Sequence, residues 1–359
     1  MPIRVLAVAP GLDRPTTGML VRLARAGIEL AVAGYPKDVW AAELTAAGIP
    51  LTRIDIRGRL DFSAIRAVRR LLASGRYDLL HAFNNHTVGC AVNAAIGHDV
   101  RVVCFRGYMG HAGRFNPSAW VTYFHPRLSR IVCASRAVER YFLEVGVAPS
   151  KLVTIYKGHD AGWYEFERAD LTEFGIPPGA FVVGFCGRAR PRKGVNVLIE
   201  AASRIPADRD VHFLIVGPLD RDSRVAEDIE RLGIGGRVHL TGYRSDAPRL
   251  TGTCDVFALP SLDREGFPRA VVEAMAQGVP AIVSDVGGMP ELVEHGVSGL
   301  VVPQADSRAL AQAILELHQQ VDRRVAMGRQ ARRRIVSVFP IERTVRETAG
   351  LYEQLVAAR

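Results

Sequence analysis

Two acidic residues in one short stretch, EGFPRAVVEAMAQGVP, have the side chains best suited to binding a ligand. Glu265 opens this stretch and Glu273 follows eight positions later. Eight residues of helix span roughly 12 Å, whereas two carboxyls that act together on one glycosidic bond with retention lie about 5–5.5 Å apart. The spacing therefore argues against an acid and nucleophile pair and favours contacts to two ends of one extended ligand. The alternative is that Glu265 is a first-turn charge and Glu273 an exposed helical residue.

The residues between the two glutamates predict a helix that starts close to Glu265. Pro268 is typical of a first helical turn, and Gly278 is typical of the position just after a helix ends. We expect the backbone amides of Gly266, Phe267 and Arg269 to be donors at the positive end of the helix dipole.

A second candidate is the basic loop GRARPRKG that follows the apolar run FVVGFC. It contains Arg188, Arg190, Arg192 and Lys193. Such cations suit a diphosphate clamp, with Arg as a bidentate fork and Lys as a point charge; a solvated loop is the alternative. No GxxxxGK[ST] occurs and no GxGxxG opens either half, which disfavours ATP hydrolysis and dinucleotide redox chemistry.

Other possible ligand groups carry weaker signals. A Gly287-Gly288 pair after an apolar run permits either close approach to a ligand or a tight turn. The DxD sequence Asp220-Arg221-Asp222 resembles a metal-binding pattern, but we expect it to begin a helix. The five cysteines form no CxxC, so we expect neither a zinc site nor disulfides, and a reducing cytoplasm fits best.

These candidates follow apolar runs in a chain that alternates predicted strands with predicted helices, which is typical of parallel sheets covered by helices. The predicted strands are 3–9, 30–34, 77–82, 100–105, 131–134, 181–187, 212–217, 238–241, 256–259 and 281–284. The predicted helices are 18–26, 63–73, 136–145, 195–204, 225–232, 270–277 and 307–336. We therefore predict two doubly wound Rossmann-like α/β domains facing across a cleft, at residues 1–160 and 161–338, with a helix over 339–359 packing back on the first domain.

The composition is that of a globular protein, and the distribution of its charge limits the classes of partner. The 359 residues are 48% hydrophobic and 23% charged, ordinary values for a globular chain, and the apolar start is interpreted as a buried strand rather than a signal peptide. Residues 1–160 hold 21 Lys+Arg against 11 Asp+Glu, whereas the remainder holds 25 against 26. The excess charge thus belongs to the first half and suits nucleic acid, an anionic membrane or an anionic substrate.

The basic loop, the two glutamates, the following DVGGMPELV and the GVSGLVV tail together resemble the C-terminal domain of family 4 glycosyltransferases. The first half resembles the same family more weakly. The family implies the GT-B fold and retaining transfer from a nucleotide sugar. It implies that Arg188 and Lys193 bind the leaving diphosphate, that Glu265 holds donor-sugar hydroxyls and that Glu273 binds the ribose. Further donor contacts implied by the resemblance are Gly18, Tyr243, Arg244, Gly266, Phe267, Pro268 and Arg269.

This chain departs from the family pattern at three places. Thr17 stands where the first glycine of a Gly-Gly loop is usual, so Thr17-Gly18 is interpreted as that loop. Arg106 replaces a histidine, and the sequence from Lys157 to Asp160 replaces Asn-Gly-Val-Asp. The departures concern the sugar end of the donor and the acceptor.

Candidate acceptor residues lie in the first half. They are His81, Arg106, Tyr108 and His111, the last two in a glycine-rich aromatic loop. Residues 53–76 carry seven arginines against two aspartates. Their helical part is predicted to place Phe62, Ile65, Val68 and Leu72 on one side and Arg66, Arg69 and Arg70 on another. The pattern suits docking onto anionic lipid headgroups or, as the alternative, a helix that covers the sheet with its charges in water.

The expected function is retaining, metal-independent transfer of a hexosyl group from a nucleotide sugar to an anionic or lipid-linked saccharide, for example lipopolysaccharide core. No cofactor and no nucleic acid are expected, and the place of action is the cytoplasm, with peripheral binding to the inner membrane face. The alternatives are another GT-B enzyme, such as a nucleotide-sugar epimerase or phosphorylase, and a non-catalytic nucleotide-sugar-binding protein.

Overall fold

The computed structural model describes residues 2–35, 38–110, 112–220 and 224–358, without the side chain of Asp38. The chain divides into an N-terminal unit, Met1–Gly158 with Phe339–Arg359, and a C-terminal unit, His159–Val338. The first change of unit lies two residues before the domain boundary expected from the sequence.

The N-terminal unit is built on a parallel sheet whose described strands follow the order β3-β2-β1-β4-β5-β6-β7. The strands are β1 Arg4–Ala9, β2 Glu29–Gly34, β3 Leu51–Arg53, β4 Leu79–Ala82, β5 Arg101–Arg106, β6 Leu128–Cys133 and β7 Leu152–Thr154. The central strands β1, β4 and β5 are mostly apolar and buried because helices cover both faces of the sheet. The strand order reverses between β1 and β4, which makes the ends of these strands the topological switch point.

Helices of this unit pack on both faces of that sheet. They are α1 Arg14–Arg25, α2 Asp38–Ala46, α3 Phe62–Ser74, α4 Asn85–Ala94, α5 Pro117–Trp120, α6 Arg136–Glu144 and, from the end of the chain, α14 Ile341–Ala357. Helix α14 packs on α1 and buries Leu351, Tyr352 and Leu355 in the same core as β1 and β2. Gly158 touches the start of α14 so closely that a Cβ atom there would lie 2.4 Å from the Pro340 carbonyl oxygen.

The expectation of a loop at Thr17-Gly18 is wrong. Asp13 caps α1 by accepting a hydrogen bond from the Thr16 amide (3.1 Å), and Pro15 occupies its first turn, so the helix begins at Arg14. Gly18 is consequently a buried helical residue rather than part of a phosphate-binding loop.

The C-terminal unit repeats the architecture with the strand order β10-β9-β8-β11-β12-β13 and a switch point between β8 and β11. Its strands are β8 Phe181–Cys186, β9 Val211–Val216, β10 Val238–Gly242, β11 Val256–Leu259, β12 Ala281–Ser284 and β13 Gly299–Val302. Its helices are α7 Val195–Arg204, α8 Val225–Arg231, α9 Ala247–Thr253, α10 Arg269–Ala276, α11 Met289–Leu292, α12 Ser307–Gln319 and α13 Val321–Val338.

The prediction of one helix over 307–336 is wrong, because the chain breaks at Gln320 (φ −104°, ψ 72°). The break lets α12 pack on α7 while α13 packs on α10. The sequence analysis also missed β3, β7 and β13, each of which has only three or four residues. Among the described helices, none combines the length and the apolar character that crossing a bilayer requires.

Candidate active site

The two sequence features singled out as ligand-binding follow the two strands that flank the switch point of the C-terminal unit. The basic loop follows β8, and the loop that contains Glu265 follows β11. Ligands of doubly wound sheets bind at this point, outside the carboxyl ends of the strands. The topology therefore brings together residues that lie about seventy positions apart in the chain.

Gly194 fixes the basic loop against the loop after β11. The loop ends in a 3₁₀ turn over Pro191–Lys193, and Gly194 then takes φ = +71°. A Cβ atom at Gly194 would lie 1.7 Å from the carbonyl oxygen of Pro260. The amide of Leu262 also donates to the Arg192 carbonyl (2.8 Å). Only glycine permits this contact, which sets Lys193 beside Glu265.

Glu265 is buried and ion-paired. Glu265 as a whole residue is 6% exposed. Its Oε1 lies 2.6 Å from Lys193 Nζ, and the Ser261 hydroxyl donates to the same oxygen (3.0 Å). The Ser284 hydroxyl in turn donates to the Ser261 backbone carbonyl (2.5 Å). A buried carboxylate needs such partners, and Lys193 and Ser261 supply them here.

The backbone around Glu265 is also constrained. Arg264 lies in the left-handed region (φ = +59°), where a residue with a side chain stores about 1–2 kcal/mol of strain. The amide of Gly288 donates to the Glu265 carbonyl (2.9 Å), and Gly287 has φ = +60°. Gly287-Gly288 thus forms a turn whose backbone supports Glu265.

Glu273 is not the exposed helical residue of the alternative interpretation. It lies on α10, is 8% exposed and pairs with the Arg269 guanidinium (Nε to Oε1, 3.1 Å). Burial and the nearby Glu273 charge raise the pKa of Cys186, at the end of β8, to about 12. Pro268 caps α10, and Gly266 and Phe267 directly precede it, so the structure places this segment at the start of a helix as expected.

Asp220 contacts the basic loop. It follows β9, and its carboxylate lies 3.3 Å from Arg190 Nε and 3.8 Å from Arg188 Nη1. The other residues of the DxD sequence, Arg221 and Asp222, lie outside the described residues. No cluster of three or more potential metal-ligating His, Cys, Asp or Glu side chains is found in the described part of the chain.

Tyr243 and Arg244 follow β10. Tyr243 is 73% exposed, whereas Arg244 forms two hydrogen bonds with Asp246 (2.8 and 2.9 Å) and lies over the Phe174 ring. The tyrosine therefore offers a free surface for stacking, and the arginine is committed to contacts within its own unit.

In the N-terminal unit, His81 lies in the core on β4. Its residue is 2% exposed, its Nδ1 lies 2.6 Å from the Tyr352 hydroxyl, and its ring stacks on Phe83. Burial lowers the pKa of His81 to about 3, which keeps it neutral. Its Nε2 has no partner among the described residues. The ring lines a pocket of about 20 Å³, enough for about one water molecule.

Arg106 is a buried cation with neutral partners. It ends β5, is 2% exposed and donates to Asn85 Oδ1, the Tyr123 hydroxyl (2.9 Å) and the Gly110 carbonyl (2.7 Å). The Tyr108 ring lies 3.8 Å from its guanidinium carbon. No carboxylate reaches ion-pair distance among the described residues. The fourth predicted acceptor residue, His111, lies outside the described residues.

Sequence reasoning missed an ion pair at the switch point of this unit. Lys157 Nζ lies 2.7 and 2.8 Å from the two carboxylate oxygens of Asp13. Burial opposes the ionisation of Asp13, but the Lys157 charge and the hydrogen bonds from Lys157 and Thr16 outweigh it and hold the pKa of that carboxyl well below its ordinary value. It also missed Ser261, Asn85, Tyr123 and Tyr352, which support the candidate residues from distant positions and carry no local motif.

Comparison with known proteins adds two family matches. Residues 167–334 match the family described as glycosyl transferases group 1, and residues 11–163 match glycosyltransferase family 4. Together these matches span most of the chain.

Two curated relatives are glycosyltransferases by name. One is the UDP-Gal:α-D-GlcNAc-diphosphoundecaprenol α-1,3-galactosyltransferase of Escherichia coli, 26% identical over 82% of this chain and 80% of that protein. The other is the amylovoran biosynthesis glycosyltransferase AmsK of Erwinia amylovora, 31% identical over 53% of this chain. The match spans about half the length of AmsK.

Among solved structures, Anabaena HepE in complex with UDP matches 99% of this chain and 100% of its own, with a TM-score of 0.82 and 23% identity. A glycosyltransferase from Rickettsia africae matches 99% of both chains with a TM-score of 0.86 and 19% identity. These likenesses show the GT-B fold over the whole chain. The chain belongs to glycosyltransferase family 4.

Proposed function

We propose that this glycosyltransferase moves a hexosyl group, with retention, from a nucleotide sugar to an anionic or lipid-linked saccharide of the cell envelope. The observation that carries the donor half of the proposal is the set of four cations at the switch point, anchored by the Lys193–Glu265 pair (2.6 Å). The UDP complex of HepE, a protein of the same fold, supports a nucleotide-sugar donor.

The proposed chemistry follows from where charge develops. Breaking the bond between the sugar and the phosphate leaves negative charge on the diphosphate and positive charge on the anomeric carbon. Arg188 and Lys193 would stabilise the diphosphate, and removing one preorganised donor of this kind typically costs about 10²–10³ in rate. Glu265 would accept hydrogen bonds from donor-sugar hydroxyls and Glu273 from the ribose. Retention rests on family membership.

We propose that these side chains, rather than a metal ion, balance the charge of the diphosphate. Asp220, the described acid of the DxD sequence, already pairs with two arginines. Turnover that persists in excess EDTA is the expected result. Loss of turnover on chelation, restored by Mg²⁺ or Mn²⁺, would contradict the metal-independent form of the proposal.

The acceptor half of the proposal rests on the N-terminal unit. Arg106 is a buried cation without a described carboxylate partner, and it organises the segment that carries Tyr108 and Gly110. An anionic group on the acceptor would complement this charge. The E. coli relative, by its name, acts on a sugar linked to diphosphoundecaprenol, which supports a lipid-linked acceptor.

The surface of α3 supports binding to an anionic membrane. Phe62, Arg66 and Arg70 follow one another at four-residue spacing and are exposed, with Phe62 at 77%. Of the apolar side of this helix, Val68 and Leu72 are buried, whereas Phe62 is exposed because Asp61 caps the helix and Phe62 begins it at the surface. An exposed aromatic side chain beside arginines that have no ion-pair partner among the described residues suits the headgroup region of a bilayer. We therefore propose that the enzyme acts at the inner face of the cytoplasmic membrane.

The donor experiment is a screen of UDP-, GDP- and ADP-hexoses for slow hydrolysis, with the anomer of the released sugar followed by NMR. We expect one nucleotide series to be hydrolysed with net retention and Lys193→Ala to abolish the reaction. Binding without turnover would favour a non-catalytic protein, and inversion would contradict the proposed stereochemistry.

The membrane experiment is sedimentation with vesicles of phosphatidylcholine alone or with phosphatidylglycerol. We expect binding to the anionic vesicles only, and Arg66→Glu with Arg70→Glu should abolish it, each arginine contributing on the order of 1 kcal/mol. Arg231→Glu is the matched control on the other unit. Equal, negligible binding to both vesicles would dismiss the membrane proposal.

A further inference from the structure

Two carboxylates, Glu265 and Asp220, pair with the four cations of the basic loop, and Asp263 also lies 4.0 Å from Arg192 Nε. Glu265 lies 2.6 Å from Lys193 and 3.9 Å from Arg192. Asp220 lies 3.8 Å from Arg188 and 3.3 Å from Arg190. The loop is therefore charge-paired as it stands, and an incoming anion must compete for its cations.

The two carboxylates differ in how firmly they are held. The Glu265 side chain is 7% exposed and is also hydrogen-bonded by Ser261. The Asp220 side chain is 36% exposed, and its arginine partners are 54% and 46% exposed. Exposed ion pairs exchange partners at little cost because water screens them. Arg188 and Arg190 are thus the cations that can be transferred to another anion.

The backbone holds Asp220 beside the loop whatever its side chain does. The Ala189 amide donates to the Pro218 carbonyl (3.0 Å) and the Asp220 amide to the Ala189 carbonyl (3.4 Å). Gly217 takes φ = +135°, and a Cβ atom there would lie 2.1 Å from the Gly187 carbonyl oxygen. The negative charge therefore stays close to any anion that Arg188 binds.

We propose that Asp220 is a built-in competitor of the donor diphosphate: it pairs with Arg188 and Arg190 in the empty enzyme, gives them up when the donor binds, and speeds the release of the nucleoside diphosphate product. This inference rests on the proposed diphosphate site. It assigns to the acid of the DxD sequence a role as counter-ion in place of a role as metal ligand.

The proposed competition predicts the direction in which the affinity for the nucleoside diphosphate changes when the Asp220 charge is removed. With Asp220→Asn the arginines need not leave a carboxylate, and the repulsion between Asp220 and the diphosphate is removed. Two unit charges about 4 Å apart in water change an affinity by about fivefold, and the Asp220 ion pairs are partly exposed to water. We expect the affinity for the nucleoside diphosphate to rise by about 3–10-fold and its dissociation rate to fall by a similar factor.

The test is calorimetric titration of the full chain with UDP, GDP and ADP in parallel, combined with stopped-flow dissociation of the tightest of the three. Asp220→Asn and Asp220→Ser should both bind more tightly than wild type, and Asp220→Glu, which keeps the charge, should stay close to it. Asp228→Asn is the matched control because it removes an acid that pairs with Arg231 on the same unit (2.8 Å). The gain in affinity should shrink at high salt.

The outcomes separate this inference from the proposed function. Unchanged or weaker binding by folded Asp220→Asn and Asp220→Ser, beside a wild type that binds and turns over, overturns the inference alone. The same gain in Asp228→Asn would mean a general charge effect and would also overturn it. A wild type that binds none of the three nucleotides would overturn the proposed diphosphate site and the inference together.

Discussion

The basic loop after β8 and the arginine that ends β5 differ in how their charges are balanced. In the C-terminal unit, each cation of the basic loop has a carboxylate partner: Arg188 and Arg190 pair with the partly exposed Asp220, and Arg192 and Lys193 pair with the buried Glu265. In the N-terminal unit, Arg106 is buried among an amide, a hydroxyl and a carbonyl, and His81 is buried and neutral.

The difference indicates two kinds of site. Cations paired with exposed carboxylates can exchange them for a ligand phosphate without unfolding anything, which suits a substrate that binds and leaves in every cycle. A buried guanidinium held by three elements is part of the framework, and moving it means breaking several hydrogen bonds. The C-terminal unit thus holds exchangeable charge, and the N-terminal unit uses charge to shape a surface.

The largest expected effect comes from removing a cation of the basic loop. Arg188→Ala and Lys193→Ala should each lower turnover by about 10²–10³, because the leaving diphosphate loses a preorganised donor. Steady-state kinetics with the donor found in the screen measures this. Arg231→Ala, in the same unit, should keep normal turnover. Near-normal turnover in both Arg188→Ala and Lys193→Ala would contradict the assignment of these residues to the diphosphate site.

A smaller effect is expected where the charge shapes a surface. Arg106→Lys keeps the charge but loses the planar fork that reaches Asn85, Tyr123 and Gly110. We expect the free energy of unfolding to fall by about 1–3 kcal/mol, because buried polar groups lose their partners, while hydrolysis of the donor by water is unchanged.

Urea denaturation and the donor hydrolysis assay check the Arg106 prediction. Arg130→Lys is the control, since Arg130 lies on the next strand and, within the described part of the chain, its side chain donates to the adjacent Ser129 carbonyl alone. A loss of donor hydrolysis in Arg106→Lys that equals the loss in Lys193→Ala would remove the distinction between the two sites.

The smallest expected effect concerns pH. His81 has a folded pKa of about 3 and an ordinary value of 6.5, so the unfolded chain binds the extra proton between these values. Its contribution to stability is complete above pH 6.5 and declines as the pH falls toward 3, by about 1.4 kcal/mol per pH unit. The unfolding free energy of His81→Gln should therefore depend less steeply on pH between 6 and 4. Equal slopes for the two proteins would show that burial does not keep His81 neutral.

What the sequence could predict follows the same division. The basic loop and the Glu265–Glu273 stretch are local motifs next to buried strands. The alternation of predicted strands with predicted helices was therefore enough to place both motifs at strand ends. The support of Glu265 by Ser261, and of His81 by Tyr352 from 271 positions away, depends on contacts that no local spacing signals. The sequence-based prediction started α1 at residue 18, after a loop matched to the Gly-Gly loop of the family. Asp13, an N-cap residue, and Pro15, in the first turn, mark the start at Arg14 instead.

The most direct test of the account compares nucleotide binding in the two sites. Calorimetric titration with the nucleoside diphosphate identified in the screen should show that Lys193→Ala weakens binding by at least about tenfold, since a buried charge-assisted contact contributes about 1.5–3 kcal/mol. Arg106→Lys should bind with wild-type affinity. Wild-type affinity in Lys193→Ala, or an equal loss in Arg106→Lys, would contradict the claim that the basic loop of the C-terminal unit binds the donor.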